Sequence, residues 1–339
     1  MGTPSLVLFL LFPVLDPGIV QGKVIQDLSK CDWFFQGKVP PQGFDTQNRV
    51  KICQRYKNHY HFVTLYRTDL RIPVYSAYRF PCTLGVVKRL RPRTWFYEPQ
   101  IDDLHASAEM MSSNGTASDH QAVDADYLHS GYDRGHLYPY SFNRKESATA
   151  TCTLTNAVPQ THEANVNWAK EAESIVLHLA KICYNSSRSM YVVTGSANST
   201  NIKLKNKVMV PEVAWTALCC TSPPHRNNDP CLNNKVGPGG ENALTYDKDF
   251  SAAFRKRMQP EEPGVRLTVR ELQEQLGVGK MFESCRGTSA EDEAETFKEV
   301  TLLIEGEMLA VNRGDSLRRW SWVLTVTCCL LLEMGLNWF

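Results

Sequence analysis

The chain has almost no net charge. Its 339 residues carry 37 Lys and Arg against 36 Asp and Glu. A uniformly basic surface is therefore excluded as a means of holding a polyanion, and any such partner must be met by a local patch. No Cys-x-x-Cys pair occurs, and the vicinal pairs Cys219-Cys220 and Cys328-Cys329 do not have zinc-site spacing. His162-Glu163 opens like a zinc-protease helix, but position 166 is Val where the second histidine belongs. No uncharged apolar run reaches the roughly twenty residues of a membrane-spanning helix. No internal repeat is visible, which excludes a solenoid.

Cysteine itself is plentiful. Eleven are present, too many for a reduced enzyme without a metal pattern, so disulfides in an oxidising compartment are expected. Setting aside Cys328 and Cys329 leaves nine, an odd number, so one thiol stays unbridged or bonds another chain. Leu6 to Leu15 is a short apolar core ahead of Val20-Gln21-Gly22. Residues 1–22 are read as a signal peptide, although no Lys or Arg precedes that core. Three sequons, at Asn114, Asn185 and Asn198, fit a secreted or extracellular glycoprotein. Residues 286–319 read as an acidic and polar linker, with Glu291, Asp292, Glu293 and Glu295 on a solvated surface. The tail 320–339 is mostly apolar but interrupted by Glu333 and Asn337. Membrane attachment and a tail without an anchoring role both remain open for it, and the oligomeric state is undetermined.

Between these ends lies a compact unit over residues 23–285. His61 to Tyr66 and Ile72 to Tyr78 read as two strands around Thr68-Asp69. Residues 103–120, rich in Ser and Ala, read as an exposed loop. Asn165 to Tyr184 is the best helix, with Trp168, Ala172, Val176 and Leu179 on one stripe. Ser189 to Thr194 and Lys207 to Thr216 read as further strands, and Pro223 to Gly240 as a loop. Thr268-Val269-Arg270-Glu271 is a capping box.

The most informative residues are Asp133-Arg134-Gly135-His136, followed by Asn165 and, eight residues further on, Glu173. Phosphodiester cleavage needs an activated water, a cation on the phosphate and a stabilised leaving oxygen. His136 can take a proton near neutral pH. Asn165 can give one neutral oxygen to Mg²⁺, which keeps most of its waters. Glu173, two turns along the same helix, can order that water shell. Arg134 and Arg93, the latter in the basic run Lys88 to Arg93, can clamp phosphate oxygens. Taken singly, each residue also has a plainer role: a hydrogen-bonded histidine, a helix N-cap at Asn165, a surface carboxylate at Glu173.

Tyr127 to Glu173 resembles the DNA/RNA non-specific endonuclease family, which includes mitochondrial endonuclease G and secreted bacterial nucleases. The Asp-Arg-Gly-His motif is matched by Asp133 to His136, and Ser/Thr-Asn-x-x-Pro-Gln by Thr155 to Gln160. The family asparagine follows at Asn165, its glutamate at Glu173, and its upstream arginine at Arg93 in Arg93-Thr94-Trp95. The signal peptide, cysteines and sequons narrow the likeness to the secreted endonuclease domain-containing 1-like branch. The resemblance implies an α+β fold: a central antiparallel sheet flanked by helices, with a ββα-metal active-site unit. It further implies that His136 is the general base, Asn165 the direct Mg²⁺ ligand (Mn²⁺ can substitute) and Glu173 a partner of its water shell. Arg93 and Arg134 would contact the DNA or RNA backbone. Only two residues separate Asn165 from Trp168, one fewer than the family usually shows, so the helix near Trp168 is where a local difference is expected.

Two functions follow from these expectations. One is Mg²⁺-dependent hydrolysis of DNA and RNA with little sequence preference, because backbone contacts carry no base information. The other is a catalytically silent nuclease-like module that binds nucleic acid or a protein partner at the cell surface. The joint presence of all five site residues favours the enzyme.

Overall fold

The computed structural model describes residues 24–25, 28–81, 94–222, 245–246, 248–258, 261–285, 291–292, 294–302 and 305. The expected signal peptide, the apolar tail, the basic run with Arg93 and the loop from Pro223 to Gly240 lie outside these residues.

β-Branched and aromatic residues at alternate positions build the central sheet. The strands are β1 (Val24–Ile25), β2 (Arg49–Tyr56), β3 (His59–Arg67) and β4 (Ile72–Arg79). They are joined by β9 (Ser189–Leu204), β10 (Val208–Thr221), β11 (Phe250–Arg257) and β12 (Val265–Leu267). All eight pair antiparallel in the order β1-β2-β3-β4-β9-β10-β11-β12. The turn from β2 to β3 is made by Lys57 and Asn58, both at positive φ. β9 runs well past its expected end at Thr194, because its second half pairs with the start of β10.

Each face of the sheet carries a core. One gathers Phe44, Tyr75, Trp215, Leu272 and Met281. The other gathers Phe62, Tyr78, Tyr138, Val176, Leu179 and Phe250. The vicinal cysteines follow from this arrangement. Successive side chains on a strand point to opposite faces, so Cys219 bridges to Cys285 on one side and Cys220 to Cys183 on the other. Cys31 and Cys53 form another bridge, and the buried Cys152 keeps its thiol.

Between β4 and β9 the chain folds into the unit that concerns function. It contains a small pair, β5 (Phe96–Tyr97) and β6 (Met111–Ser112), and α1 (Asp124–Tyr127). Next come β7 (Asp133–His136), α2 (Lys145–Thr151) and β8 (Ala157–Gln160). The expected exposed loop over 103–120 is mostly exposed, but it is pinned at its ends: Ser118 Oγ donates to the Asp102 carboxylate at 2.6 Å, and Gln121 Nε2 donates to the Glu98 carbonyl at 2.7 Å. After β8 comes one long helical run in three parts: α3 (His162–Trp168), a wide-turned segment Ala169–Glu173, and α4 (Ser174–Asn185). The helix therefore starts before Asn165. Thr161 is its N-cap, accepting the Ala164 N–H at 3.2 Å, so the capping role considered for Asn165 falls to Thr161.

The capping box at Thr268 and Glu271 forms as expected and opens α5 (Val269–Leu276), which ends on left-handed Gly277. Part of the segment expected as a linker is helical over 294–302 and buries Val300 in the second core, while Glu291 and Asp292 remain exposed. Among the described residues no helix is long and apolar enough to cross a membrane.

Candidate active site

β7 and β8 pair antiparallel, Asp133 opposite Gln160 and His136 opposite Ala157, and α3 follows directly. This is a ββα unit, and its first strand is the Asp-Arg-Gly-His motif itself. Each of the four residues has a distinct physical task.

Asp133 faces α3. Its Oδ2 accepts from Asn165 Nδ2 at 3.1 Å and lies 2.9 Å from His162 Nδ1. With Nδ2 committed, the amide orientation of Asn165 is fixed, and its Oδ1 accepts no hydrogen bond among the described residues. Arg134 turns the other way. One terminal nitrogen bonds the Asp124 carboxylate at 2.7 Å and the Asp124 carbonyl at 3.2 Å. Its guanidinium carbon lies 5.1 Å from the Tyr127 ring centre and 5.6 Å from that of Trp95. Its observed role is to brace the segment ahead of β7. Gly135 is buried against Gln160, and a Cβ there would run into the Gln160 side chain. Only a hydrogen fits, which is why this position is glycine.

His136 is half-buried at the end of β7. Its ring centre is 4.9 Å from that of Trp95, and its Nε2 is 3.8 Å from Cys152 Sγ. The strand is held to the sheet by buried Asn156, whose amide is fully used. Its Oδ1 accepts from Ser76 Oγ at 2.8 Å and Tyr138 N at 2.9 Å; its Nδ2 donates to the Tyr138 carbonyl at 3.0 Å and the Thr151 carbonyl at 2.9 Å. Thr155 accepts from buried Gln54 at 2.7 Å. The Thr-Asn-x-x-Pro-Gln stretch is thus scaffold: it sets the height of His136 above the sheet.

Glu173 closes the wide-turned helical segment. There the Ser174 N–H reaches back five residues to the Ala169 carbonyl. At about 100° per residue, eight steps would leave Glu173 roughly 80° round the helix from Asn165. Five residues at the slower turn of a π-type segment remove about that much, so both residues share the face towards β7. Glu173 Oε2 accepts from Ser141 Oγ at 3.3 Å, and its side chain lies with Leu137, Pro139 and Trp168. The helix is fixed in turn. Trp168 packs on Phe254 and Ala214, which places the residue expected to differ locally in a small core of its own. Lys256, itself buried, holds Glu171 at 2.9 Å and Glu261 at 3.1 Å.

The structure therefore joins Asp133, Arg134 and His136 on one strand, ties Asn165 to that strand and turns Glu173 to the same side. Arg93 lies outside the described residues. Sequence reasoning did not single out Asp133 as the shared partner of Asn165 and His162, nor Asp124 as partner of Arg134. Charge at those positions was visible; their pairing depends on the hairpin register. Among the described residues no three His, Cys, Asp or Glu side chains cluster as a metal cage. The donor set is one amide oxygen with a carboxylate nearby, which suits a hard, largely hydrated cation and does not suit zinc.

The model of the DNA/RNA non-specific endonuclease family matches residues 39–247. The chain is 37% identical over 219 residues to a human endonuclease domain-containing 1 protein and 33% identical over 217 residues to a mouse protein of that name. Each match covers 61% of this chain and 42% of the relative, so the chain matches under half the length of these curated relatives. A nuclease from Nostoc is 32% identical over 126 residues, 32% of this chain and 44% of the relative. A crystal structure of an EndoG/EndoGI complex aligns with 68% of this chain and 86% of that one at 16% identity and a TM-score of 0.43. The family match spans most of the chain, including the whole ββα unit, and the chain belongs to the DNA/RNA non-specific endonuclease family.

Proposed function

We propose that this protein is a metal-dependent endonuclease that hydrolyses DNA and RNA with little sequence preference, working in a secreted or extracellular setting. The observation that carries the reading is the Asp133 carboxylate 3.1 Å from Asn165 Nδ2, which fixes the amide beside the motif strand and leaves Oδ1 without a hydrogen bond among the described residues. A bound Mg²⁺, or Mn²⁺ in its place, supplies charge neutralisation at the scissile phosphate. Asn165 Oδ1 would be the protein atom that holds it. Glu173 orders the surrounding water, and Ser141 steadies its carboxylate. The His136 imidazole takes the proton of the attacking water; Trp95 on one side excludes bulk solvent from the ring. Phosphate contacts fall to Arg93 and to the edge of the Arg134 guanidinium that Asp124 does not engage. The disulfides at Cys31, Cys183 and Cys219 support the oxidising compartment.

A binding module without turnover is the second reading. The bond from Arg134 to Asp124 favours it with a protein rather than a nucleic acid as partner, because one arginine nitrogen is turned from phosphate to a carboxylate of the fold. The test is digestion of plasmid and of RNA by purified protein, with Mg²⁺ and with chelator. Cleavage is expected to stop with chelator and return with Mg²⁺. His136→Ala is expected to lower turnover about a hundredfold or more while binding persists. Asn165→Ala is expected to cost turnover far more than affinity. Cleavage indifferent to chelator would remove the metal role, and a folded His136→Ala protein cutting at the native rate would remove the base.

A further inference from the structure

With 37 basic residues against 36 acidic ones, the chain has no general pull on a polyanion. The motif strand itself offers a single arginine, Arg134. A second source of positive charge lies beside it. β9 and β10 meet in a tight turn, closed by the Lys207 N–H donating to the Leu204 carbonyl at 2.8 Å. Lys203, Lys205 and Lys207 surround that turn, and all three are exposed.

The hairpin tip is fixed against the ββα unit. Leu204 and Val208 are buried in one cluster with Tyr127, Leu137 and Val158. Lys205 Nζ donates to the Ala125 carbonyl, and Arg134 donates to the Asp124 carbonyl at 3.2 Å. The two cations therefore stand on consecutive peptide carbonyls of α1. Arg134 and His136, two residues apart on β7, share a face of that strand. Trp95 joins them there, 5.6 Å from the Arg134 guanidinium carbon and 4.9 Å from the His136 ring centre. Positive charge thus runs from the motif strand, over Arg134, to the tip.

The acids of this neighbourhood do not cancel it. Asp124 receives Arg134 at 2.7 Å, and buried Asp126 accepts the Val123 N–H at 2.9 Å. Asp119 faces Arg71 at 3.9 Å. Among the described residues the Lys203 and Lys207 side chains make no ion pair or hydrogen bond. The turn between β2 and β3 is different, because there Lys57 pairs with Glu146 at 3.0 Å.

We infer that the β9–β10 tip is a docking surface for the sugar-phosphate backbone of a nucleic acid, with Lys203, Lys205 and Lys207 holding phosphates that flank the one at the site. An ammonium on a long stem meets a phosphate without demanding a fixed geometry, and contacts of this kind carry no base information. The inference rests on the nucleic-acid substrate proposed above but not on turnover, since a silent nucleic-acid binder would use the same surface.

The test is fluorescence anisotropy of labelled duplex DNA and labelled RNA with the full chain in chelator, over a series of salt concentrations. Because Asn198 heads a sequon on the same arm, each titration is repeated after glycosidase treatment. Lys203→Gln with Lys207→Gln touches no contact within the described residues, and melting curves check its fold. Lys30→Gln with Lys280→Gln removes the same charge beside the core on the other face of the sheet. The tip variant is expected to weaken binding of both nucleic acids about tenfold or more at low salt and to flatten the salt slope by roughly 2. The control variant is expected to match the native protein. With Mg²⁺, the tip variant should raise KM for long substrates and leave cleavage of a dinucleotide, too short to reach the tip, unchanged. Native affinity and slope in the tip variant, or an equal loss in the control, overturns the inference even where the native protein cuts. So does a tip variant that loses binding to phosphatidylserine vesicles but not to nucleic acid. A native protein that binds through the tip lysines yet never cuts removes the nuclease reading and keeps this one; a native protein that binds no nucleic acid removes both.

Discussion

Glu98 should make the fold lose stability as pH rises through neutrality. The side chain is 4% exposed, and burial pushes its carboxyl from 4.5 up to about 8, with the Thr153 hydroxyl, 3.0 Å from Oε1, pulling the other way. In the unfolded chain the group ionises at its ordinary value. Between the two values the folded protein binds a proton that the unfolded chain has lost, so stability must fall with rising pH. The contribution is complete below about pH 4.5 and is gone once pH passes about 8. At about 1.4 kcal/mol per unit the interval amounts to roughly 4 to 5 kcal/mol, a large share of a domain's stability. Glu98→Gln keeps an acceptor for Thr153 and cannot ionise. The assay is denaturant unfolding of both proteins at half-unit steps from pH 5 to pH 9. The native protein is expected to lose several kcal/mol across the series relative to the variant, which should be the more stable of the two at pH 8.5. Equal slopes in the two proteins would refute the reasoning, whatever other groups titrate.

Gly135→Ala should drive a methyl into the Gln160 side chain and cost about 1–3 kcal/mol; thermal melts should show much of that loss recovered when Gln160→Ala is added. Replacing both Cys219 and Cys285 by Ser removes a bridge spanning 66 residues, which the loop-entropy relation puts at about 4 kcal/mol. Urea unfolding under oxidising conditions should show it, and unchanged stability would mean that the bridge adds nothing beyond the packing around it.

The catalytic candidates were legible because their spacing is a chemical signature, and the capping box at Thr268 because caps are local. The vicinal cysteines could be read as disulfide halves from number and compartment, but not paired. Their pairing depends on β10 presenting Cys219 and Cys220 to opposite cores, a fact of sheet order. The start of the helix that carries Asn165 was misjudged for a similar reason. Apolar periodicity begins at Trp168 and drew attention to Asn165, while Thr161, four residues earlier, carries the cap. The first turn lies over the hairpin and presents polar side chains to it, so it has no apolar stripe to read.

The same polar turn explains why the motif is contiguous. A carboxylate at Asp133 and a glycine at Gly135 do their work on one strand, at the two places where α3 and Gln160 come closest. Asp133 alone would fix Asn165 but leave Glu173 off the shared face, had the helix kept an ordinary pitch. The wide turn over Ala169–Glu173 corrects that, and it is stabilised from outside by Lys256 on Glu171 and by Trp168 on Phe254. A wide turn is uncommon because it gives up ordinary helical hydrogen bonds. Its persistence within one turn of both candidate metal-side residues is best understood as geometry kept for the site. The helix accepts a weaker ladder between Trp168 and Ser174, and β11, through Lys256 and Phe254, supplies the packing and charge that hold it there.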